Sequence, residues 1–291
     1  MKAEEVAHVG VVGCGLMGSG IVEVCAKAGL RVTFVEADAG RVAAGEALID
    51  GSLGRAVARG KLDETGRTQI LERISGSTDL GDLAGCDLVV EAVVERPDEK
   101  QRVFARLDEV TRPEVVLASN TSSIPIVEIA SATKRPDRVL GMHFFNPPPV
   151  MALLELVRSI ETSDETLVFA RAMGERLGKR VVVAKDRAGF IVNMLLIPYL
   201  NGAIRMYEEG FASAEDIDTA ISLGLNHPMG PLTLLDYVGL DTAVHVADVL
   251  YDEFHEPSYA PPPLLKRMVA AGRLGRKSGR GFYDYSKAGE G

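Results

Sequence analysis

The segment Gly13-Cys14-Gly15-Leu16-Met17-Gly18 constrains this chain more than any other stretch. It follows an apolar run at residues 9–12. It opens a helical pattern at 17–29, with Ile21, Val24, Cys25 and Ala28 on one face. A strand that turns through G-x-G-x-x-G into a helix forms a dinucleotide seat. The first glycine permits the tight turn, the second lets a pyrophosphate approach the backbone, and the third lets helix and strand pack closely. The helix then offers free N–H groups and a positive dipole end to the phosphates. The motif alone also occurs as an ordinary turn; here the strand before it and the helix after it supply the context. Gly13, Gly15, Leu16, Met17 and Gly18 are therefore the expected cofactor contacts, and Cys14 reads as a small buried residue.

Glu36 ends a second strand read at residues 31–36. A carboxylate there accepts hydrogen bonds from ribose hydroxyls and repels the 2′-phosphate of NADP, which points to NAD. The alternative is a solvated strand end, and Arg41 nearby complicates the preference. Further strands are read at 87–92, 115–118, 139–142 and 153–157, with a helix at 98–110. Strand, helix, strand at this spacing indicates an α/β fold with a mostly parallel, Rossmann-type sheet. After the apolar run at 181–183 only helices are read: 189–208, 213–223, 231–238, 240–254 and 264–271. Pro198 should kink the first of them. The expected division is a sheet domain at 1–185 and an all-α C-terminal domain at 186–291, with a tail at 273–291 rich in Gly, Lys and Arg whose end is expected to fray.

Composition narrows the partners. The 291 residues carry a formal net charge of −9, which argues against general affinity for nucleic acid or an anionic membrane. Three cysteines without a C-x-x-C pair point to reduced thiols in a cytoplasmic protein, with neither a disulfide framework nor a metal site. No apolar run is long enough to span a bilayer, and the charged first residues do not read as a signal peptide.

The stretch Gly141-Met142-His143-Phe144-Phe145-Asn146-Pro147 carries the most chemistry. An imidazole titrates near neutrality and can take a proton from an alcohol and return it. If the following turn is centred near Pro149, Glu155 lies directly opposite His143, where a carboxylate would fix the tautomer and stabilise the imidazolium. A lone structural histidine is the alternative. His8, His227, His245 and His255 have no such setting. Ser119-Asn120-Thr121-Ser122-Ser123 follows a strand end, where α/β sheets bind ligands, although a helix cap would look the same. Asn193 sits in an apolar helix and needs partners: a substrate or a neighbouring helix.

At these residues the chain resembles the L-3-hydroxyacyl-CoA dehydrogenase family, and within it the short stand-alone bacterial 3-hydroxybutyryl-CoA dehydrogenases. The resemblance runs through Asp87-Leu-Val-Val-Glu-Ala, His143-Phe-Phe-Asn-Pro, Gly189-Phe-Ile-Val-Asn, Pro228-Met-Gly-Pro and Gly279-Arg-Gly-Phe-Tyr, in order along nearly the whole chain. It implies that His143 is the catalytic base and Glu155 its partner, and that Ser122 and Asn193 contact the substrate oxygen. Asn146 would position substrate, while Glu95, Lys100 and Asn120 would line the nicotinamide side of an NAD site. It also implies an acyl-CoA substrate and a homodimer formed through the helical domain. Arg55, Arg59 and Lys61 lie where the family places a helix arm over the CoA; a solvated basic face is the alternative. Gly45, Gly51, Gly54 and Gly60 in the same segment suggest an arm that moves without ligand. Two rival readings are a dehydrogenase of free hydroxy or sugar acids, and a non-catalytic NAD(H)-binding protein.

Overall fold

A computed structural model describes residues 2–286. The chain divides into two compact units, Met1–Arg187 and Ala188–Gly291.

The first unit is built on one eight-stranded sheet. Its strands are β1 (His8–Val12), β2 (Arg31–Val35), β3 (Ile74–Ser77), β4 (Leu88–Glu91), β5 (Val116–Ser119), β6 (Val139–Phe144), β7 (Leu153–Arg158) and β8 (Arg180–Lys185). Their spatial order is β3-β2-β1-β4-β5-β6-β7-β8. The first six run parallel in the 3-2-1-4-5-6 order of the doubly wound dinucleotide fold. The helices between them are α1 (Leu16–Lys27), α2 (Ala39–Ala58), α3 (Glu64–Leu71), α4 (Pro97–Val110) and α5 (Ile126–Ala130), with α6 (Asp164–Arg176) between β7 and β8. The expected Rossmann-type sheet is thus observed.

Residues 145–152 are too few for a crossover, so β7 returns antiparallel to β6. β8 then runs parallel to β7. β1 is buried along its full length. Val9, Val11 and Phe34 of the sheet share one core with Ile21 and Val22 of α1 and Phe169 and Met173 of α6. Burying a side chain such as Phe34 contributes roughly 1.5–3 kcal/mol.

β3 and α6 were not among the elements read from the sequence. The Ile-Ser-Gly-Ser of β3 has no apolar run; it is an edge strand, held by its pairing with β2. α6 is capped by Ser163, whose Oγ accepts from Thr166 N at 3.2 Å.

The second unit contains α7 (Val192–Glu208), α8 (Ala214–Gly224), α9 (Pro231–Val238), α10 (Leu240–Phe254) and α11 (Pro263–Ala270). α7 starts at Val192 rather than at residue 189, because Gly189 and Phe190 have positive φ (76° and 50°), outside right-handed helix space. It continues through Pro198. Leu200, Ile204, Leu232, Leu235, Leu240 and Leu265 make its main core. Ser213 caps α8, its Oγ accepting from Asp216 N at 3.1 Å.

The glycine-rich tail is tied down up to Ser286. Asp236 accepts from Phe282 N and Tyr283 N, both at 2.9 Å. Asp218 accepts from the Tyr283 hydroxyl at 2.9 Å. A side chain at Gly281 would place its Cβ 1.9 Å from Asp236 Oδ1, so this block needs glycine for the carboxylate to reach the backbone. The expected fraying of the chain end falls on residues 287–291, outside the described residues.

Candidate active site

The dinucleotide turn is shaped by absent side chains. Gly13 has φ +87°, and a Cβ on it would lie 2.7 Å from Ala92 O. A Cβ on Gly18 would lie 1.8 Å from Gly13 O. At Gly15, in contrast, a Cβ would meet nothing within 4 Å. The first and third glycines therefore serve packing, and the second leaves an open face at the N-terminus of α1. That face suits a pyrophosphate, so the residues present fit NAD. Leu16 is exposed beside it and Met17 is half-buried.

Glu36 lies one residue beyond β2. Its Oε1 accepts from Cys14 N at 2.5 Å, so the carboxylate braces the glycine turn directly. Cys14 Sγ and Cβ pack where α2 crosses the turn, and a Cβ on Gly45 would come within 2.8 Å of that sulfur. Burial, with Glu36 and Glu46 nearby, pushes the Cys14 thiol up to about 12, which removes its nucleophilic form at neutral pH.

His143 and Glu155 are cross-strand partners on β6 and β7. His143 Nδ1 lies 2.8 Å from Glu155 Oε2, and both side chains are buried. The Phe145 ring tilts against the imidazole at 4.6 Å between centroids. The connection between the two strands is pinned by Lys179, whose Nζ donates to Pro148 O at 2.6 Å and Met151 O at 2.9 Å. Burial lowers the pKa of that ammonium. Pro148 also rests on α1, where a Cβ at Gly20 would come within 2.6 Å of its ring. Asn146 is exposed and precedes Pro147 through a cis peptide bond.

Glu95 collects the loop after β5. Its Oε1 accepts from Thr121 Oγ1 at 2.6 Å, Ser122 N at 2.8 Å and Ser123 N at 3.2 Å, with Ser122 Oγ at 3.4 Å. Burial pushes its carboxyl up, but the Lys100 ammonium and the bonds from Thr121 and Ser122 outweigh this and hold it below its ordinary value. Lys100 is itself buried, its Nζ 2.7 Å from Glu91 Oε1 and 3.2 Å from Glu95 Oε2. Asn120 Oδ1 accepts from Phe144 N at 2.9 Å, which ties this loop to the end of β6.

The first unit thus places Glu95 after β4, Asn120 and Ser122 after β5, and His143 and Glu155 on β6 and β7, with Lys100 reaching Glu95 from α4. Arg55, Arg59 and Lys61 are exposed, in the last turn of α2 and just beyond it. α2 itself is anchored by buried Ile49 and Leu53, and by an ion pair from Asp50 to Arg67 of α3 at 2.6 Å. Asn193 is half-buried in the first turn of α7, in the second unit. Sequence reasoning missed Lys179, and it gave Glu91 no role although the residue lies in the Asp87-Leu-Val-Val-Glu-Ala block; Thr121 and Ser123 were read only as part of the polar stretch after the strand. A usable signal existed for Glu91: an acid closing an apolar strand must find partners once buried.

Compared with known proteins, residues 8–187 match the family description "3-hydroxyacyl-CoA dehydrogenase, NAD binding domain", and residues 189–285 match "3-hydroxyacyl-CoA dehydrogenase, C-terminal domain". The chain belongs to the 3-hydroxyacyl-CoA dehydrogenase family. A relative from Mycobacterium tuberculosis named 3-hydroxybutyryl-CoA dehydrogenase is 55% identical over 288 residues, covering 97% of this chain and 100% of the relative. The pig protein named mitochondrial hydroxyacyl-coenzyme A dehydrogenase is 45% identical over 288 residues, covering 96% and 91%. Among solved structures, (S)-3-hydroxybutyryl-CoA dehydrogenase from Ralstonia eutropha superposes with a TM-score of 0.92 at 47% identity, covering 97% of this chain and 100% of that one. The protein is accordingly an NAD-dependent oxidoreductase, and its first unit is the family's NAD-binding domain.

Proposed function

We propose that the chain interconverts L-3-hydroxyacyl-CoA and 3-ketoacyl-CoA, with short acyl chains such as 3-hydroxybutyryl-CoA as substrates. The observation that carries this reading is the buried contact of 2.8 Å between His143 Nδ1 and Glu155 Oε2 at the exit of the sheet. A carboxylate at Nδ1 keeps that nitrogen protonated and leaves Nε2 as the atom that exchanges a proton. In oxidation, His143 Nε2 takes the proton of the substrate hydroxyl; in reduction, it returns one to the carbonyl oxygen. NAD, when bound, supplies the hydride acceptor for the substrate C3, and NADH the donor.

Gly15, Leu16 and Met17 face the pyrophosphate on a turn whose shape Gly13 and Gly18 set, and Glu36 meets the ribose hydroxyls. Glu95, Lys100 and Asn120 shape the nicotinamide side, the first two by holding the Thr121–Ser123 loop. Ser122 orients the substrate oxygen. Asn193, carried over from the family pattern, is assigned to the same oxygen, and Asn146 to substrate positioning. Arg55, Arg59 and Lys61 form an exposed cationic group suited to the CoA phosphates. Homodimerisation through the helical unit is supported by its exposed apolar side chains, including Leu195, Phe211 and Leu223. A cytoplasmic location is supported by three free, buried cysteines, which need no oxidising compartment.

The test is an initial-rate panel of 3-ketoacyl-CoA chain lengths, each run with NADH and with NADPH. The expected result is fastest turnover of acetoacetyl-CoA with NADH. Turnover of free hydroxy acids but not of acyl-CoA, or a higher kcat/KM with NADPH, would overturn the reading.

A further inference from the structure

Glu91 closes β4 at the centre of the sheet, between Val12 of β1 and Ser119 of β5. Its side chain is fully buried, and both oxygens are used. Oε1 accepts from Val93 N and from Lys100 Nζ, each at 2.7 Å. Oε2 accepts from Ser119 Oγ at 2.6 Å. Two routes lead from this carboxylate to the same loop. In one, Ser119 Oγ accepts in turn from Thr121 N at 3.2 Å. In the other, Lys100 passes to Glu95, which gathers Thr121, Ser122 and Ser123.

A buried ion pair is a poor device for stability, because taking both charges out of water offsets much of their attraction; well-packed apolar side chains often do as well or better. What such a pair does supply is direction. Every donor around Glu91 lies on a segment leaving the sheet towards the reaction site, or on the helix that follows one.

We propose that Glu91 is a positioning residue for the reaction: without touching substrate or cofactor, it sets the place of Ser122 through Ser119 and through the Lys100–Glu95 pair. The proposal rests on the assignment of Ser122 to the substrate oxygen. Glu91 fixes the exit of β5 from below, and Glu95 fixes it from the side. Loss of the first loosens the second, because Lys100 then has only Glu95 as a carboxylate partner within ion-pair distance among the described residues.

The experiment is a double-mutant cycle on the full-length enzyme with acetoacetyl-CoA and NADH, using Glu91→Gln, Ser122→Ala and the combination. The glutamine keeps the shape but turns one acceptor into a donor that faces other donors. Glu91→Gln should lower kcat at least about tenfold, within the roughly hundredfold that an ångström of misplacement costs. Its Kd for NADH should stay within about threefold of wild type. Since both changes act on one group, the combined variant should lose little more than Ser122→Ala alone.

Additive losses, unchanged kcat in Glu91→Gln, or a loss confined to NADH binding would each overturn the proposal. Ser119→Ala removes one spoke and leaves the ion pair, so it is the variant to read if Glu91→Gln does not fold. It should lower kcat in the same direction by less, and unchanged kcat there counts against the proposal. The two failures are distinguishable: a fully active Ser122→Ala defeats the role given to Ser122, whereas an inactive Ser122→Ala beside an active Glu91→Gln defeats only the positioning role.

Discussion

At the dinucleotide turn, backbone meets backbone. Gly13 and Gly18 are held by contacts that no Cβ would survive, and only Gly15 faces open space. At the His143 hairpin, side chains hold side chains: imidazole to carboxylate across two strands, and an ammonium to the carbonyls of the connection. The first region specifies shape by what is missing, and at Gly13 and Gly18 it tolerates no added atoms. The second specifies chemistry by polar pairs, and it should keep its fold when one member is changed but lose its reactivity. The contrast separates residues that build the seat from residues that do the work in it.

The largest effect is expected at the third glycine. Gly18→Ala drives a methyl into Gly13 O, and overpacking against backbone costs at least about 1–3 kcal/mol; thermal melting and NADH titration should show both a lower Tm and lost binding. Gly15→Ala sharpens the comparison, because its Cβ enters open space. It should leave Tm nearly unchanged while weakening NADH binding. Equal destabilisation by the two alanines would erase the distinction drawn between packing and cofactor glycines.

At the hairpin, Glu155→Gln keeps a hydrogen-bond acceptor for Nδ1 but removes the charge that stabilises the imidazolium. Steady-state kinetics should show kcat lower by about a hundredfold, the lower end of what general acid–base assistance supplies, with NADH affinity retained. Lys179→Met is expected to act more weakly. It gives up two hydrogen bonds from a charged donor, typically ~1.5–3 kcal/mol each, but it also relieves the cost of burying the ammonium. Urea unfolding should therefore move little, and kcat should fall only severalfold.

The smallest effect concerns acid. Glu95 has a folded pKa below its ordinary 4.5, so it contributes stability that is fully present above that value and is lost as pH falls through its lower folded pKa. Melting curves below about pH 4.5 should show Glu95→Gln losing less stability on acidification than the wild type. A steeper acid limb in the variant would contradict the sign.

The glycine turn was legible because three missing side chains at fixed spacing leave a mark in the sequence itself. The pairing of His143 with Glu155 was legible once a turn centre near Pro149 was assumed, since strand register then follows by counting. β3 was not legible, because Ile-Ser-Gly-Ser owes its strand to a neighbour rather than to its own pattern. The start of α7 was read early because left-handed φ at Phe190 leaves no sign in an apolar run. The Glu91–Lys100–Glu95 network was invisible for a related reason. Its members come from β4, its exit loop and α4; the resemblance placed Glu95 and Lys100 beside the cofactor, but only the fold shows that Lys100 is buried and joined to Glu91.

The central claim is that His143, held by Glu155, exchanges the proton that accompanies hydride transfer. Its most direct test is His143→Gln, measured for acetoacetyl-CoA reduction at saturating NADH, beside an NADH titration of the same protein. The account predicts kcat lower by about 10²–10⁴-fold with NADH still bound near wild-type affinity. Near-normal turnover in that variant would contradict it.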